Sequence, residues 1–354
     1  MGAGASTLNA EALAKATPDE LKAAADALSA EDKAKVLAAL QPPAPAEPPA
    51  PAAPAAPTKE ELTKLGLPEA QAEKSVKAIT DGPKASAIPT SCHAVMKIKE
   101  GADVEAMTAA LKAYSALSKK SPGKVSASYG ISKGEIHFVE IFNGPGGMDA
   151  HIGYCFPEYV KMVPHADMTE IVVVCDPAEV EFWTTSASAW GATKFIVTAA
   201  NEHTTPTLTP PTAEDLTKLG LPEAQAALSV KAIGEPMVTG KSTSIFVMMK
   251  VKEGADVEAM TTAFKAYGSA SAASPGKSHA QHSIAKGEVL MIEVYDSPAA
   301  MDTHIGHCFP EYIKIVPHAD MTEIICVCDP ADVEFWEKSA SAWGATKFIV
   351  TAAM

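Results

Sequence analysis

The chain has 354 residues, enough for two or three domains that each bury their own core. All 29 basic residues are lysines, and 43 acidic residues give a formal charge of −14. The lack of arginine removes the bidentate contacts that read bases, and the acidic balance repels phosphate backbones. We therefore expect no nucleic-acid partner.

The first 57 residues are predicted to form an N-terminal arm, which consists of a small helical segment and a linker. Helix start signals at Thr17 and Ser29 predict a small helical segment over residues 1–41, which is a candidate site for a protein partner. Residues 42–57 are rich in proline and alanine and predict an extended linker. Gly2 lies in an N-myristoylation pattern, and a single acyl chain supports only transient membrane association.

The rest of the chain is a duplicated domain. The segment Glu100–Met107 recurs as Glu253–Met260, 153 residues later, and the same offset holds to the end of the chain. We assign repeat 1 to residues 58–200 and repeat 2 to residues 213–354. A linker over residues 201–212 joins them.

Each repeat predicts the element order βαββαβ, followed by an additional helix and strand. In repeat 1 the strands are expected at 91–99, 125–132, 135–142, 168–175 and 194–198, and the helices at 102–119, at 146–163 with a break before Pro157, and after Asp176. Both faces of the strands are apolar, whereas a lone antiparallel sheet leaves one face to solvent. We therefore expect the two repeats to pack sheet to sheet, with the helices outside.

The element order and one strand-to-helix signature resemble the dimeric α+β barrel superfamily, and within it the antibiotic-biosynthesis-monooxygenase-like families. The signature is Phe138-Val139-Glu140-Ile141-Phe142 followed by Met148-Asp149-Ala150-His151, and it recurs around Glu293 and His304. The resemblance implies an α+β fold in which two ferredoxin-like repeats form an intramolecular barrel. It also implies a cofactor-independent monooxygenase or isomerase that acts on a small hydrophobic, phenolic or quinol-like ligand.

Four residues are candidates for catalysis: His304, His151, Glu293 and Glu140. A neutral imidazole beside an apolar cavity could orient a ligand hydroxyl or take its proton. A glutamate on an apolar strand face is expected to have a raised pKa, which suits a base. The alternatives are a packing histidine, and a strand-end glutamate that reaches solvent or a lysine such as Lys97 or Lys250.

Seven further residues are candidates for ligand binding, five of them in the hairpins and the following helix. They are Tyr129, Phe246, Met248, His279, Gln281, His282 and His307. Because repeat 2 carries histidines and a glutamine where repeat 1 has serines and tyrosines, we expect repeat 2 to hold the more active pocket. The alternative is neutral divergence.

We expect neither a metal nor a cofactor. His304, His307, Cys308 and His318 offer zinc ligands, but Tyr154 replaces His307 in repeat 1, and haem propionates would find no arginine. The second hypothesis is a non-catalytic ligand-binding or scaffold protein, which can form a higher oligomer. A cavity that holds His304 or Glu293 would favour the enzyme, and one filled by Phe246 and Met248 would favour the scaffold.

The sequence also bears on cellular location. Its longest apolar runs are far shorter than the roughly 20 residues of a membrane span, so we expect no stable membrane insertion. The N-terminus lacks the pattern of a secretory signal, and the six cysteines are scattered. These features predict a cytoplasmic protein with free thiols.

Overall fold

The structure is a computed structural model that describes residues 56–188, 190–202, 206, 208–235, 240–341 and 343–354. The predicted helical segment 1–41, including Gly2, lies outside the described residues. So does the predicted linker 42–57, except for its last two positions. None of the described helices is long and apolar enough to cross a membrane.

Repeat 1 contains five helices and five strands among its described residues. They are α1 (Lys59–Lys64), α2 (Glu69–Asp81), β1 (Thr90–Ile98), α3 (Val104–Ser118), β2 (Lys124–Ser132), β3 (Glu135–Phe142), α4 (Pro145–Met162), β4 (Ala166–Cys175), α5 (Val180–Ser188) and β5 (Lys194–Ala199). The strands form one sheet in the order β2-β3-β1-β4-β5, in which only the β4–β5 pair is parallel.

Repeat 2 has the same elements in the same order. They are α6 (Ala213–Lys218), α7 (Glu223–Gly234), β6 (Thr243–Val251), α8 (Val257–Ala273), β7 (Lys277–Ala285), β8 (Glu288–Tyr295), α9 (Pro298–Ile315), β9 (Ala319–Cys328), α10 (Val333–Ser341) and β10 (Lys347–Ala352). Its sheet runs β10-β9-β6-β8-β7. The predicted βαββαβ order with an added helix and strand is thus confirmed in both copies.

The two sheets pack face to face, as the apolar strand faces predict. Val139, Val172 and Ile196 of repeat 1 form a buried layer with residues of repeat 2 that include Phe246 and Leu290. The last strands close the sides: Asn201 N donates to His282 O (2.8 Å), and Met354 N donates to Tyr129 O (3.0 Å). Helices cover the outer face of each sheet. Because both sheets belong to the same chain, the barrel is built within one chain.

The predicted break before Pro157 is wrong, because α4 continues through this residue to Met162. A proline inside a helix costs about 3 kcal/mol. Here the helix is held by packing on both sides of the proline, with Cys155 and Met162 buried in the core. Gly153, one turn earlier, lets α2 approach: a Cβ there would lie 2.7 Å from Ile79 Cδ1.

The helices α1 and α2 were not predicted. A capping box joins Thr58 and Glu61 at the start of α1, which is a start signal visible in the sequence. Leu62 and Leu67 are buried against Ile152 of α4. The two helices therefore brace the outer side of the helix that carries His151.

Candidate functional site

Each repeat contains a small apolar cavity between its sheet and the helices that cover the outer face. Cavity 1 measures about 60 Å³ and cavity 2 about 50 Å³. Cavity 1 is lined by residues from the sheet and from α3, α4, α5 and the segment after α5: Cys92, Ala94, Tyr114, Phe138, Glu140, Met148, His151, Ile152, Cys155, Phe156, Tyr159, Met168, Ile171, Val173, Trp183, Ser186 and Trp190. The cavities lie outside the layer between the two sheets.

Glu140 is the only carboxylate among the lining residues of cavity 1, and it is 5% exposed. Its Oε1 accepts hydrogen bonds from Lys124 Nζ (2.7 Å) and Tyr129 Oη (2.6 Å), and lies 3.1 Å from His151 Nε2. Burial raises the pKa of Glu140, but the ammonium of Lys124 and then His151 outweigh it and hold the pKa well below its usual range. The predicted rise in pKa is therefore wrong, since a buried lysine pairs with the carboxylate.

His151 connects the carboxylate to the helices. Its Nε2 lies 2.7 Å from Tyr114 Oη, and its Nδ1 lies 3.4 Å from Cys155 Sγ. The nearby carboxylate favours a proton on Nε2, which leaves Nδ1 to accept from the weak S–H donor. Burial and then the charge of Lys124 lower the pKa of His151, so the imidazole is neutral near pH 7.

Repeat 2 builds the same cluster from partly different donors. Glu293 Oε1 accepts hydrogen bonds from Lys277 Nζ, from Ser271 Oγ (2.6 Å) and from His282 Nε2 (3.0 Å). Glu293 Oε2 accepts a hydrogen bond from Tyr295 Oη at 2.5 Å, and His304 Nε2 lies 3.9 Å away.

The electrostatics of the second cluster match those of the first. Burial raises the pKa of Glu293, but Lys277 and His304 hold it well below its usual range. Burial and then Lys277 lower the pKa of His304, which is therefore also neutral. The structure thus brings together all four residues predicted for catalysis in two equivalent pairs.

The predicted ligand-binding residues are divided among different places. Tyr129 and His282 lie at equivalent positions and each hydrogen-bonds the glutamate of its own repeat. Phe246 and Met248 belong to the layer between the sheets, and neither lines a cavity. His307 is half-buried on α9 and is also absent from the lining of cavity 2.

His279 and Gln281 face repeat 1 instead of cavity 2. Ser91 Oγ lies 2.6 Å from His279 Nε2 and donates a short hydrogen bond to Gln281 Oε1, while Gln281 Nε2 donates to Pro89 O. At the equivalent place in the other half, Ser128 Oγ and Ser244 Oγ are 2.8 Å apart. Two of the polar groups predicted for the second pocket, His279 and Gln281, therefore serve the contact between the repeats.

Sequence reasoning missed three groups at the site: the buried lysines Lys124 and Lys277, the tyrosines Tyr114 and Tyr267, and Tyr295. Tyr114 lies on α3 and Tyr267 lies on α8, each four residues before a serine of the same helix, Ser118 or Ser271. The signal that could have indicated the ion pairs is a lysine after a Pro-Gly pair at the start of one strand, followed by a strand that carries a glutamate, because this pattern recurs in both copies.

Metal ligation finds no support in the described part of the chain, where no group of three or more His, Cys, Asp or Glu side chains could hold an ion. All six cysteines are free and buried. Burial raises the pKa of the Cys155 and Cys308 thiols, so both stay protonated beside their histidines.

The chain was compared with known proteins. No family model matches it, and no curated protein matches it. A candidate monooxygenase from Lactobacillus acidophilus NCFM aligns with a TM-score of 0.36 and 17% identity, over 67% of this chain and 91% of that one. A candidate monooxygenase from Fusobacterium nucleatum subsp. nucleatum aligns with a TM-score of 0.38 and 11% identity, over 67% of this chain and 94% of that one. An anthrone oxidase-like protein aligns with a TM-score of 0.30 and 8% identity, over 67% of this chain and 92% of that one.

At TM-scores this low we draw no functional argument from these similarities. The two βαββαβ units and their packing sheet to sheet decide the fold. The chain folds as a dimeric α+β barrel duplicated within one polypeptide. In this duplicated barrel the outer face of each sheet carries a buried glutamate–lysine pair and a neutral histidine at the wall of an apolar cavity.

Proposed function

We propose that the duplicated barrel is a cofactor-independent monooxygenase that acts on a small phenolic or quinol-like ligand in its helix-side cavity. The observation that carries the proposal is the meeting of an ionised glutamate and a neutral histidine, Glu140 and His151, at the wall of an apolar cavity. An apolar cavity with a few convergent polar groups is the usual form of a small-ligand site.

The small volume of the cavity favours a small ligand. An apolar cavity of about 150 Å³ holds benzene, whereas cavity 1 measures about 60 Å³. Met148 and Met168 line the cavity, and methionine side chains move readily to enlarge a pocket. A one-ring ligand therefore requires these methionine side chains to move.

The cluster supplies a hydrogen-bond acceptor for the ligand hydroxyl. An ionised carboxylate that accepts this hydrogen bond raises the electron density of the phenol ring, and dioxygen then attacks the ring carbon opposite the hydroxyl. The ring gains one oxygen atom as a carbonyl group. The second oxygen atom leaves as water with the hydroxyl hydrogen and the displaced ring hydrogen, so phenol and dioxygen give a quinone and water.

The alternative is a non-catalytic ligand-binding or scaffold protein. One observation favours it: the glutamates are held in their ionised form by buried lysines, which makes them weak bases. The close-packed layer of Phe246 and Met248 between the sheets also suits a rigid body. An isomerase would use the same acceptor without consuming dioxygen.

Oxygen uptake separates these functions. The full chain is mixed with phenol, and dioxygen consumption and quinone absorbance are followed together. We expect equal amounts of dioxygen consumed and quinone formed, and a loss of about a hundredfold in the double variant Glu140→Gln/Glu293→Gln. Glu105→Gln, at an exposed position of α3, is the matched control. Ligand binding without dioxygen uptake would contradict the monooxygenase and favour the alternative.

A further inference from the structure

The two oxygen atoms of Glu140 have different surroundings. Oε1 is engaged by Lys124, Tyr129 and His151. Oε2 accepts no hydrogen bond from any residue that the structure describes. It is also not among the fully buried polar atoms without a partner, so it is partly accessible. Because Glu140 lines cavity 1, the open oxygen is available to a molecule in that cavity.

In repeat 2 the corresponding oxygen is already occupied. Glu293 Oε2 accepts a hydrogen bond from Tyr295 Oη at 2.5 Å, and Tyr295 is itself a lining residue of cavity 2. The equivalent residue in repeat 1 is Phe142, which has no hydroxyl group. Both residues end their strand two positions after the glutamate, so both share its face of the sheet.

Tyr295 shows what kind of ligand suits the open oxygen. Its side chain is a phenol whose hydroxyl donates to the carboxylate while its ring lies within an apolar, aromatic wall. Cavity 1 offers a similar wall without that hydroxyl, since each cavity is lined by two tryptophans, a histidine and at least two methionines. The second cavity thus carries an internal counterpart of the ligand that the first cavity lacks.

We propose that Glu140 Oε2 is the atom that binds the ligand hydroxyl, so that repeat 1 holds the phenol site and the hydroxyl of Tyr295 closes the site in repeat 2. The inference rests on the proposed function for its ligand class. It assigns the activity to the repeat opposite to the one that the sequence favoured. It also names one residue pair, Phe142 and Tyr295, as the determinant.

Reciprocal exchange of this pair tests the proposal. The full chain is titrated with 4-fluorophenol, and ¹⁹F NMR and equilibrium dialysis give the affinity and the number of sites. We expect one site in the wild type and two in Tyr295→Phe. We expect at least a tenfold weaker affinity at the first site in Phe142→Tyr. Each variant introduces the residue that the other repeat carries, and circular dichroism checks that both fold.

A control ligand and the dioxygen-uptake assay separate binding of the hydroxyl from catalysis. 4-Fluorotoluene lacks the hydroxyl, so its binding should not change with either substitution. Two equal sites for 4-fluorophenol in the wild type, no binding at all, or no response of either variant would overturn the assignment. One site that binds 4-fluorophenol while phenol gives no dioxygen uptake would leave the assignment standing and refute only the monooxygenase.

Discussion

The two faces of each sheet treat buried polar groups in different ways. On the outer face, the glutamate, lysine and histidine of each cluster all have partners. On the inner face of repeat 1, His93 and His137 are fully buried, and their ring nitrogens make no hydrogen bond to the residues that the structure describes, although His137 Nε2 lies 3.5 Å from Glu135 Oε2. Repeat 2 has Phe246 and Leu290 at these two positions. The outer face is therefore organised for chemistry, and the inner face for association by apolar contact.

Charged groups also join the two sheets. Lys347 Nζ lies 2.8 Å from Glu323 Oε1 of its own repeat and 2.8 Å from Glu135 Oε2 of the other. Lys194 makes the equivalent pairs with Glu170 (3.2 Å) and Glu288 (3.6 Å). Each lysine thus joins both repeats, and these pairs fix how one sheet is aligned on the other.

The largest expected effect comes from separating the repeats. A chain of residues 58–200 alone would expose the apolar inner face, including Val139, Val172 and Ile196. We expect it to associate with a second copy of itself or to bind a hydrophobic dye strongly, as measured by analytical ultracentrifugation and dye fluorescence. A stable monomer that binds no dye would contradict the assignment of the inner face to association.

The next largest effect concerns the buried ion pair of the outer face. Lys124→Met leaves the Glu140 carboxylate buried beside an apolar side chain, and breaking such a pair costs about 3–5 kcal/mol in the free energy of unfolding. Urea denaturation measures the loss. The double variant Lys124→Met/Glu140→Leu removes both charges and should recover most of the stability. A single variant as stable as the wild type would show that the pair is dispensable.

The effect of pH on the same pair follows from the lowered pKa of Glu140. A carboxyl group whose pKa is depressed in the folded chain stabilises that state above its unfolded pKa, about 4.3. This contribution is lost as the pH falls below that value. In Lys124→Met the lysine no longer opposes the effect of burial on the pKa of Glu140, so this loss of stability at acid pH should be smaller than in the wild type, which acid titration followed by circular dichroism would detect.

The smallest expected effect is a gain in stability on the inner face. His137→Leu introduces the residue found in repeat 2 and removes a buried imidazole that makes no hydrogen bond to the described residues, so we expect about 1–3 kcal/mol of added stability at pH 8. Burial lowers the pKa of His137 to about 4, below the unfolded value of about 6.5, so the wild type loses stability as the pH falls between them. The gain should therefore be larger at pH 5. The partly exposed His165→Leu is the control, and an equal gain there would refute the argument.

Much of the fold could be predicted because it depends on local patterns. The repeat offset, the alternation of apolar residues and the helix caps gave the element order, and the two apolar strand faces gave the packing of the sheets. The break at Pro157 was mistaken because tertiary packing outweighs a local helix penalty. The helices before β1 have a capping box at Thr58, but few apolar residues mark their buried side.

The site was harder to predict because a β-bulge changes which way one residue points. Strict alternation would place Lys124 on the face of Ser128, which looks toward repeat 2. An extra residue between Lys124 and Ser126 shifts the register against β3, and the lysine turns to the outer face beside Glu140. Repeat 2 has the same shift after Lys277. By contrast, alternation alone separates Gln281 from His282, so their different roles were predictable.

The covalent joining of the two halves has a consequence for how they change over time. In a dimer of identical chains, every substitution appears in both halves, and the complex dissociates on dilution. Here the second sheet is always present at the high local concentration set by a short connection. A substitution such as phenylalanine to tyrosine at the end of β8 therefore alters one half only, and the other half can keep the original arrangement.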